Sequence, residues 1–263
     1  MRYFCILLCA ALLLSLCACT AAPQPTDAPT DPPTQAEPVT EPATEPETTG
    51  DEFPTAVLSE YSKEVYVRVT YPILPSATAN AAIEAFAKEM IAQYCPEADA
   101  VTLETEVPEH PPEAQDSARS LELFGRVTFQ SDELVCVVLE GLHNVRTAAH
   151  PNHLFSTRNF DPQTGETLRF ADRYVIDEAL YEAFAASAEA VLTEQAGGKW
   201  PEGWGGFAEM FCDKDAFIAG LTAEEEYHVL YTGDGLFISF PVPFALGGHM
   251  EIPIPDSALT PIS

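Results

Sequence analysis

Residues Thr20–Glu52 hold eight Pro, eight Thr and eight Asp or Glu with no Lys or Arg, and Val39 is their one large apolar side chain. A segment of that composition has nothing to bury, so no core can include it. Proline keeps such a stretch extended and like charges stiffen it, which suits a spacer; glycan-bearing threonines are the second reading. Any folded unit must therefore lie in residues 53–263.

Ahead of the spacer, Arg2 precedes an apolar run from Phe4 to Leu16 that is too short to span a bilayer as a helix and reads as a signal peptide. It ends in Leu16-Cys17-Ala18-Cys19, which resembles the lipobox of bacterial lipoproteins, so Cys19 is expected to become the acylated N-terminus. Cys17 is a poorer candidate because bulky Leu16 would precede the cut, and ordinary secretion with cleavage near Ala18 or Ala22 is the alternative. Acyl chains contribute about 0.8 kcal/mol per buried CH₂, and several together hold a protein on the membrane. The expected organisation is residues 1–19 signal peptide, 20–52 spacer and 53–263 body, the body dividing into subdomains at about 53–148 and 149–263.

The chain carries 41 acids against 12 bases, a net charge of -29, and the body alone keeps 33 acids and 11 bases, a net of -22. Such a charge repels a phosphate backbone and excludes nucleic acid as a partner. The body's cysteines are Cys95, Cys136 and Cys212, an odd number that allows at most one disulfide. Cys136 sits in the apolar run Leu134–Leu139 and reads as a buried thiol.

Periodicity along the body predicts an α+β fold of antiparallel sheets, each packed with a long amphipathic helix. Val65, Val67, Val69 and Tyr71 alternate as a half-buried strand, and from Ser76 the residues Ala79, Ile83, Phe86, Met90, Ile91 and Tyr94 recur at helical spacing. Leu121, Leu123, Val127 and Phe129 alternate next, and Leu134–Leu139 should pair with them through a turn at Ser131-Asp132. Strands are expected around Leu154–Phe160 and Thr167–Phe170. Asp177 caps a second helix with a stripe of Ile176, Leu180, Phe184, Ala188, Val191 and Leu192 that Gly197-Gly198 ends. A shorter helix near Asp215–Leu221 precedes strands at Tyr227–Tyr231, Leu236–Phe240 and His249–Ile254, with Gly233-Asp234-Gly235 turning between the first two.

The order NFDPQTGETLRFADRY, a long helix, then YHVLYTGDGLFISFPVPFALGGHMEIPIP resembles the C-terminal domain of RsiV-type anti-sigma factors, a domain also found beside polysaccharide deacetylases. The marks are Asn159-Phe160-Asp161 leading into Thr164-Gly165, then Asp172, the Gly233-Asp234-Gly235 turn, and Phe240–Gly248 entering the last strand. Upstream, Tyr61–Tyr94, with a strand ending in Tyr71-Pro72, is similar to the region that precedes this domain, so the resemblance covers about Val57–Leu259. It implies an extracytoplasmic module: anti-sigma members sense lysozyme with this region, and deacetylase members carry it as an accessory to a catalytic domain. With neither effector part beside it, a stand-alone lipoprotein is expected.

No G-x-S-x-G, H-E-x-x-H, P-loop or G-x-G-x-x-G sequence is present, so no catalytic residue, cofactor or metal is assigned. His150-Pro151-Asn152-His153 is the best local cluster, with His143, Asp161 and His249 elsewhere. Proline between the two histidines favours an extended segment that points them apart, so they read as turn or hydrogen-bonding residues. The loop from Lys199 to Phe207 holds both tryptophans, Trp200 and Trp204, among glycines, with Glu202 and Glu209 close by. Facing outward they would form a recognition surface; folded inward, the favoured packing, they would plug the space beside the second helix. Trp200, Trp204, Glu202 and Glu209 are nonetheless the candidate binding residues for a basic protein partner such as lysozyme.

The expected function is that of a lipid-anchored binding or sensing module, for lysozyme or a cell-wall ligand, without catalysis; the alternative is a cell-envelope hydrolase acting on peptidoglycan or its substituents. The anchor is directly testable. Cys19→Ser should move the protein from the membrane fraction to the medium or abolish its processing, as read by fractionation and immunoblotting, and unchanged membrane association would remove the lipoprotein assignment.

Overall fold

Leu134–Leu139 offers water no polar face, and it lies where a sheet is covered on both sides. The computed structural model describes residues 53–104, 117–200, 205–224, 227–243 and 247–262. Among these, β1 (Thr55–Tyr61), β2 (Val65–Pro72), β3 (Thr102–Glu104), β4 (Arg119–Gln130), β5 (Val135–Val145) and β6 (Asn152–Phe160) form a six-stranded sheet ordered β3-β1-β2-β4-β5-β6. A smaller sheet is ordered β7-β8-β9, from β7 (His228–Thr232), β8 (Gly235–Pro241) and β9 (His249–Ile254). The helices are α1 (Ala77–Tyr94), α2 (Glu178–Gln195), the single turn α3 (Phe207–Met210) and α4 (Lys214–Ala223).

One face of the large sheet presents Val65, Val67, Val69, Leu121, Leu123, Val135 and Val137, and these bury Ile83, Phe86 and Met90 of α1. Ser76 starts α1 by accepting the Ala79 N–H at 3.2 Å, and its hydroxyl also donates to the Pro162 carbonyl at 2.7 Å. The small sheet buries Val229, Ile238, Phe240 and Ile252 against α2 and α4. Asp177 accepts the Leu180 N–H at 3.1 Å to start α2, and Gly197 and Gly198, at φ of +84° and +86°, end it.

The chain is α+β, but its large sheet is mixed rather than antiparallel. β2 and β4 run parallel over Val65–Thr70 and Arg119–Phe124, because α1 and β3 intervene as a crossover instead of a hairpin turn. β1, which the periodicity reading passed over, supplies the antiparallel neighbour of β2. Strand Asn152–Phe160, placed by sequence in the second subdomain, is instead the edge of the large sheet, pairing with β5 from Val135↔Phe160 to His143↔Asn152.

The alternating residues of β5 divide between two cores. Val135, Val137 and Leu139 face α1, while Leu134, Cys136 and Val138 join Phe155 of β6 and Leu230 of β7 in a third cluster between the sheets. A register shift between Val127 and Phe129 turns the end of β4, so Phe129 meets this inter-sheet cluster instead of continuing the stripe of Leu121, Leu123 and Val127. The layers therefore run α1, large sheet, small sheet, then α2 with α4. Cys95, Cys136 and Cys212 are free and buried, one in each cluster.

Phe184 is fully buried at the centre of the α2 core, with the rings of Phe207, Phe217 and Phe240 at 5.7, 4.5 and 5.4 Å. Truncating it leaves a cavity among aromatic side chains from α3, α4 and β8. Phe184→Ala should lower the unfolding free energy by about 3–5 kcal/mol in urea titration, and a loss under about 1 kcal/mol would show that this core is not packed as described.

Candidate functional site

Of the four sequence candidates for binding, Trp200 and Glu209 lie within the described residues. Trp200 is half-buried against the α2 core, and its indole N–H donates to the Gly205 carbonyl at 2.9 Å. Glu209 is exposed on α3, and its carboxylate lies against Gly205, where a Cβ would come within 1.8 Å of Oε2. Trp200 and Glu209 thus meet at Gly205. Trp204 and Glu202 lie outside the described residues, as do the spacer, the signal segment and Cys19.

The structure distributes the sequence's histidines differently. His150 is exposed, with Nδ1 3.1 Å from its neighbour's carbonyl at Pro151. His143 is buried beside the Tyr94 ring at 5.4 Å, and burial pushes its pKa down. Asp161 accepts the N–H groups of Gln163 and Thr164 at 2.7 and 3.1 Å, bonds that hold its carboxyl below the usual range and make it a turn residue. His153 and His249, 96 positions apart in the sequence, stack at 5.6 Å. Phe155 stacks on His249 at 4.2 Å and tilts against His228 at 6.2 Å. No group of three or more His, Cys, Asp or Glu side chains among the described residues is arranged to hold a metal.

Beside this inter-sheet stack, between the exposed edge of β6 and the start of β7, opens a cavity of about 230 Å³. Arg158, Asn159, Thr167, Arg169, Glu224 and His228 supply most of its polar lining. Asn159 is placed by donating its amide Nδ2–H to the Val229 carbonyl at 3.1 Å, and Thr157 donates to the same carbonyl at 2.8 Å. Arg158 lies with its guanidinium 4.5 Å from the Phe86 ring centre and pairs with Glu89 of α1 at 2.6 Å. Glu224 follows α4 in a left-handed conformation at φ +54°, the only non-glycine with positive φ among the described residues. Its carboxylate accepts the Phe170 N–H at 2.6 Å, while Arg169 donates to the Thr222 carbonyl at the end of the same helix.

Burial governs protonation here. It pushes the Glu224 carboxyl up, although the Phe170 N–H and Arg169 oppose it, and it lowers His228 to about 4, with His249 and Arg158 adding to the effect. At neutral pH His228 is an uncharged imidazole against Phe155. Glu251, on the face of β9 that also carries His249, is raised by burial, with Arg126 opposing.

No family model matches the chain, and no curated protein matches it in sequence. Among solved structures, a DUF3298 family protein from Pseudomonas aeruginosa PAO1 superposes with a TM-score of 0.51 at 16% identity, covering 80% of this chain and 95% of that one. The chain shares the DUF3298 fold. A DUF3298 member from Bacteroides fragilis NCTC 9343 is similar at a TM-score of 0.46 and 14% identity, over 80% of this chain and 93% of its own. At this coarse level the fold agrees with the resemblance drawn from the turn and strand pattern.

Sequence reasoning missed the cavity, because its walls come from β6, the segment after it, the end of α4 and the start of β7. One local signal was available: Asn159 and Thr157 alternate on a strand whose facing residues have to be buried, where a polar side chain needs a partner from another element.

His228 gives a pH test. Its folded pKa lies below the 6.5 of the free side chain, so below pH 6.5 the unfolded chain takes up a proton that the folded chain refuses down to about pH 4. Stability is lost through that window, and the contribution is absent above it; Glu224 and Glu251, raised by burial, act in the opposite sense. Between pH 7 and 4.5 the native chain should lose about 2–3 kcal/mol more than His228→Gln, as measured by urea unfolding at both values. Equal losses would show that His228 is not held neutral.

Proposed function

We propose that the protein is a lipid-anchored extracytoplasmic binding or sensing module of the RsiV-like type, held to the membrane by acyl chains on Cys19 and directed at lysozyme or a cell-wall ligand. The observation that carries a recognition role is the state of the cavity's ionisable groups. His228 is held as a neutral imidazole near neutral pH, one ring nitrogen a donor and the other an acceptor, and one oxygen of Glu224 is committed to the Phe170 N–H. Such groups hold a ligand by hydrogen bonds; a proton shuttle would need a base with a pKa near the working pH. The DUF3298 fold supports the reading at the level of architecture.

For a protein ligand the body's charge sets the terms. Its net -22 attracts a basic enzyme at long range, raising the encounter rate, while specificity requires a desolvated anchor. Because Trp200 is packed inward, that role falls to Trp204, with Glu202 and Glu209 close to it in sequence. The alternative, a cell-envelope hydrolase, rests on Glu224, whose carboxyl burial pushes up, the direction a general acid requires. Loss of a muralytic activity in Glu224→Gln would establish it.

Calorimetric titration of the full chain with lysozyme tests the protein-ligand reading. Saturable heat is expected at low salt, weakening as the Debye length falls from about 10 Å at 0.1 M to about 3 Å at 1 M, and Trp204→Ala should lower the affinity without changing the melting temperature. Absence of heat at low salt would remove lysozyme as the partner, and binding that ignored Trp204→Ala but vanished with salt would reduce it to unspecific charge attraction.

A further inference from the structure

The β6–β7 cavity brings two of the body's 11 cations together with a carboxylate, and each charge is already answered. Arg158 pairs with Glu89 of α1, Arg169 donates to the Thr222 carbonyl near the C-terminal end of α4, and Glu224 accepts from Phe170. These commitments fix the side chains' positions and leave the cavity close to charge balance, inside a body whose field repels anions. What remains is hydrogen-bonding capacity. A guanidinium has five N–H donors and each arginine is seen using one of its nitrogens here, a carboxylate has two oxygens and Glu224 is seen using one, and Thr167 adds a hydroxyl that both donates and accepts.

A bare anion would gain from the arginines but would face Glu224, and a bare cation would face both arginines. A hydroxyl donates to a carboxylate and accepts from a guanidinium at once, so a ligand with adjacent hydroxyls satisfies both sets without bringing a charge to be desolvated. The cavity, at about 230 Å³, is below the size of sites for drug-like molecules, which run from about 300 Å³, and suits one small ring. We propose that the cavity walled by Arg158, Thr167, Arg169 and Glu224 is a binding site for an uncharged, hydroxyl-rich ring of monosaccharide size. The inference rests on the reading of the body as a recognition module and supplies the chemistry of a small ligand for it.

The test is a titration of the full chain in detergent micelles with methyl β-N-acetylglucosaminide, with glucose, and separately with sodium phosphate and sodium acetate, followed by backbone amide chemical shifts. Saturable shifts at Thr167, Glu224 and His228 are expected with at least one sugar. Thr167→Val and Glu224→Gln should each weaken that binding about tenfold, since each removes a hydrogen-bonding partner of the ring. Glu224→Gln keeps an oxygen for the Phe170 N–H, and Thr167→Val is a second probe if the first variant unfolds. No saturable shift with either sugar up to its solubility limit overturns the proposal, as do shifts produced by phosphate or acetate and by no sugar. Sugar shifts that both variants leave unchanged overturn it too. Lysozyme heats measured on the same sample separate the outcomes: sugar binding lost with lysozyme binding retained removes this site alone, whereas loss of both removes the recognition reading itself.

Discussion

The carbonyl of Val229 accepts two side-chain hydrogen bonds from β6, from Thr157 at 2.8 Å and from Asn159 at 3.1 Å, and the arrangement of the whole body follows from that junction. It seats the start of the small sheet over the edge strand of the large one and closes the inter-sheet cluster of Leu134, Cys136, Val138, Phe155 and Leu230. Each hydrogen bond is worth only about 0.5–1.5 kcal/mol net, but a polar group left unpaired in such a layer costs more than its bond contributes. The junction therefore fixes register as much as it adds stability. His228 is carried into contact with Phe155 by the same seating, and the cavity is the space left where β7 departs from β6.

Charge shapes the surface while the interior answers its polar groups locally. The body's acids far outnumber its bases, yet Arg158, Arg169 and Arg126 are drawn to the cavity and the nearby inter-sheet cleft, where Glu89, the end of α4 and Glu140 meet them. The three buried thiols show the same economy of contact with solvent. Burial raises the pKa of all three, to about 11 for Cys95, so they are apolar filling rather than reactive groups.

Local periodicity carried most of the elements. The two 18-residue helices, their Ser76 and Asp177 caps, the β4–β5 hairpin at Ser131 and the Gly233-Asp234 turn were legible because each is decided within a few residues. Pairing across distance was not. The parallel β2–β4 contact and the placement of β6 depend on which apolar faces meet, and a strand such as Leu134–Leu139 shows only that both of its faces are covered. The resemblance marks from Asn159 to Gly165 serve as joints: Asp161 closes its turn, Gly165 at φ +73° lies against Thr78, and Pro162 accepts from Ser76. The sites followed the same division. The tryptophan loop could be singled out by composition, whereas the cavity needed four segments brought together.

The α1 core, the inter-sheet layer and the α2 core meet along β5, β6 and β7, and the two sheets are expected to open as one cooperative body. Cys95, Cys136 and Cys212 report on the α1 core, the inter-sheet layer and the α2 core in turn. Native-state thiol labelling, resolved by peptide mass across a urea series, measures the opening free energy of each layer in one experiment. If the layers open together, all three thiols become reactive with the same free energy and the same urea dependence. Labelling of Cys212 and Cys136 at lower urea than Cys95 would show the small sheet leaving the large one independently, and would contradict the account.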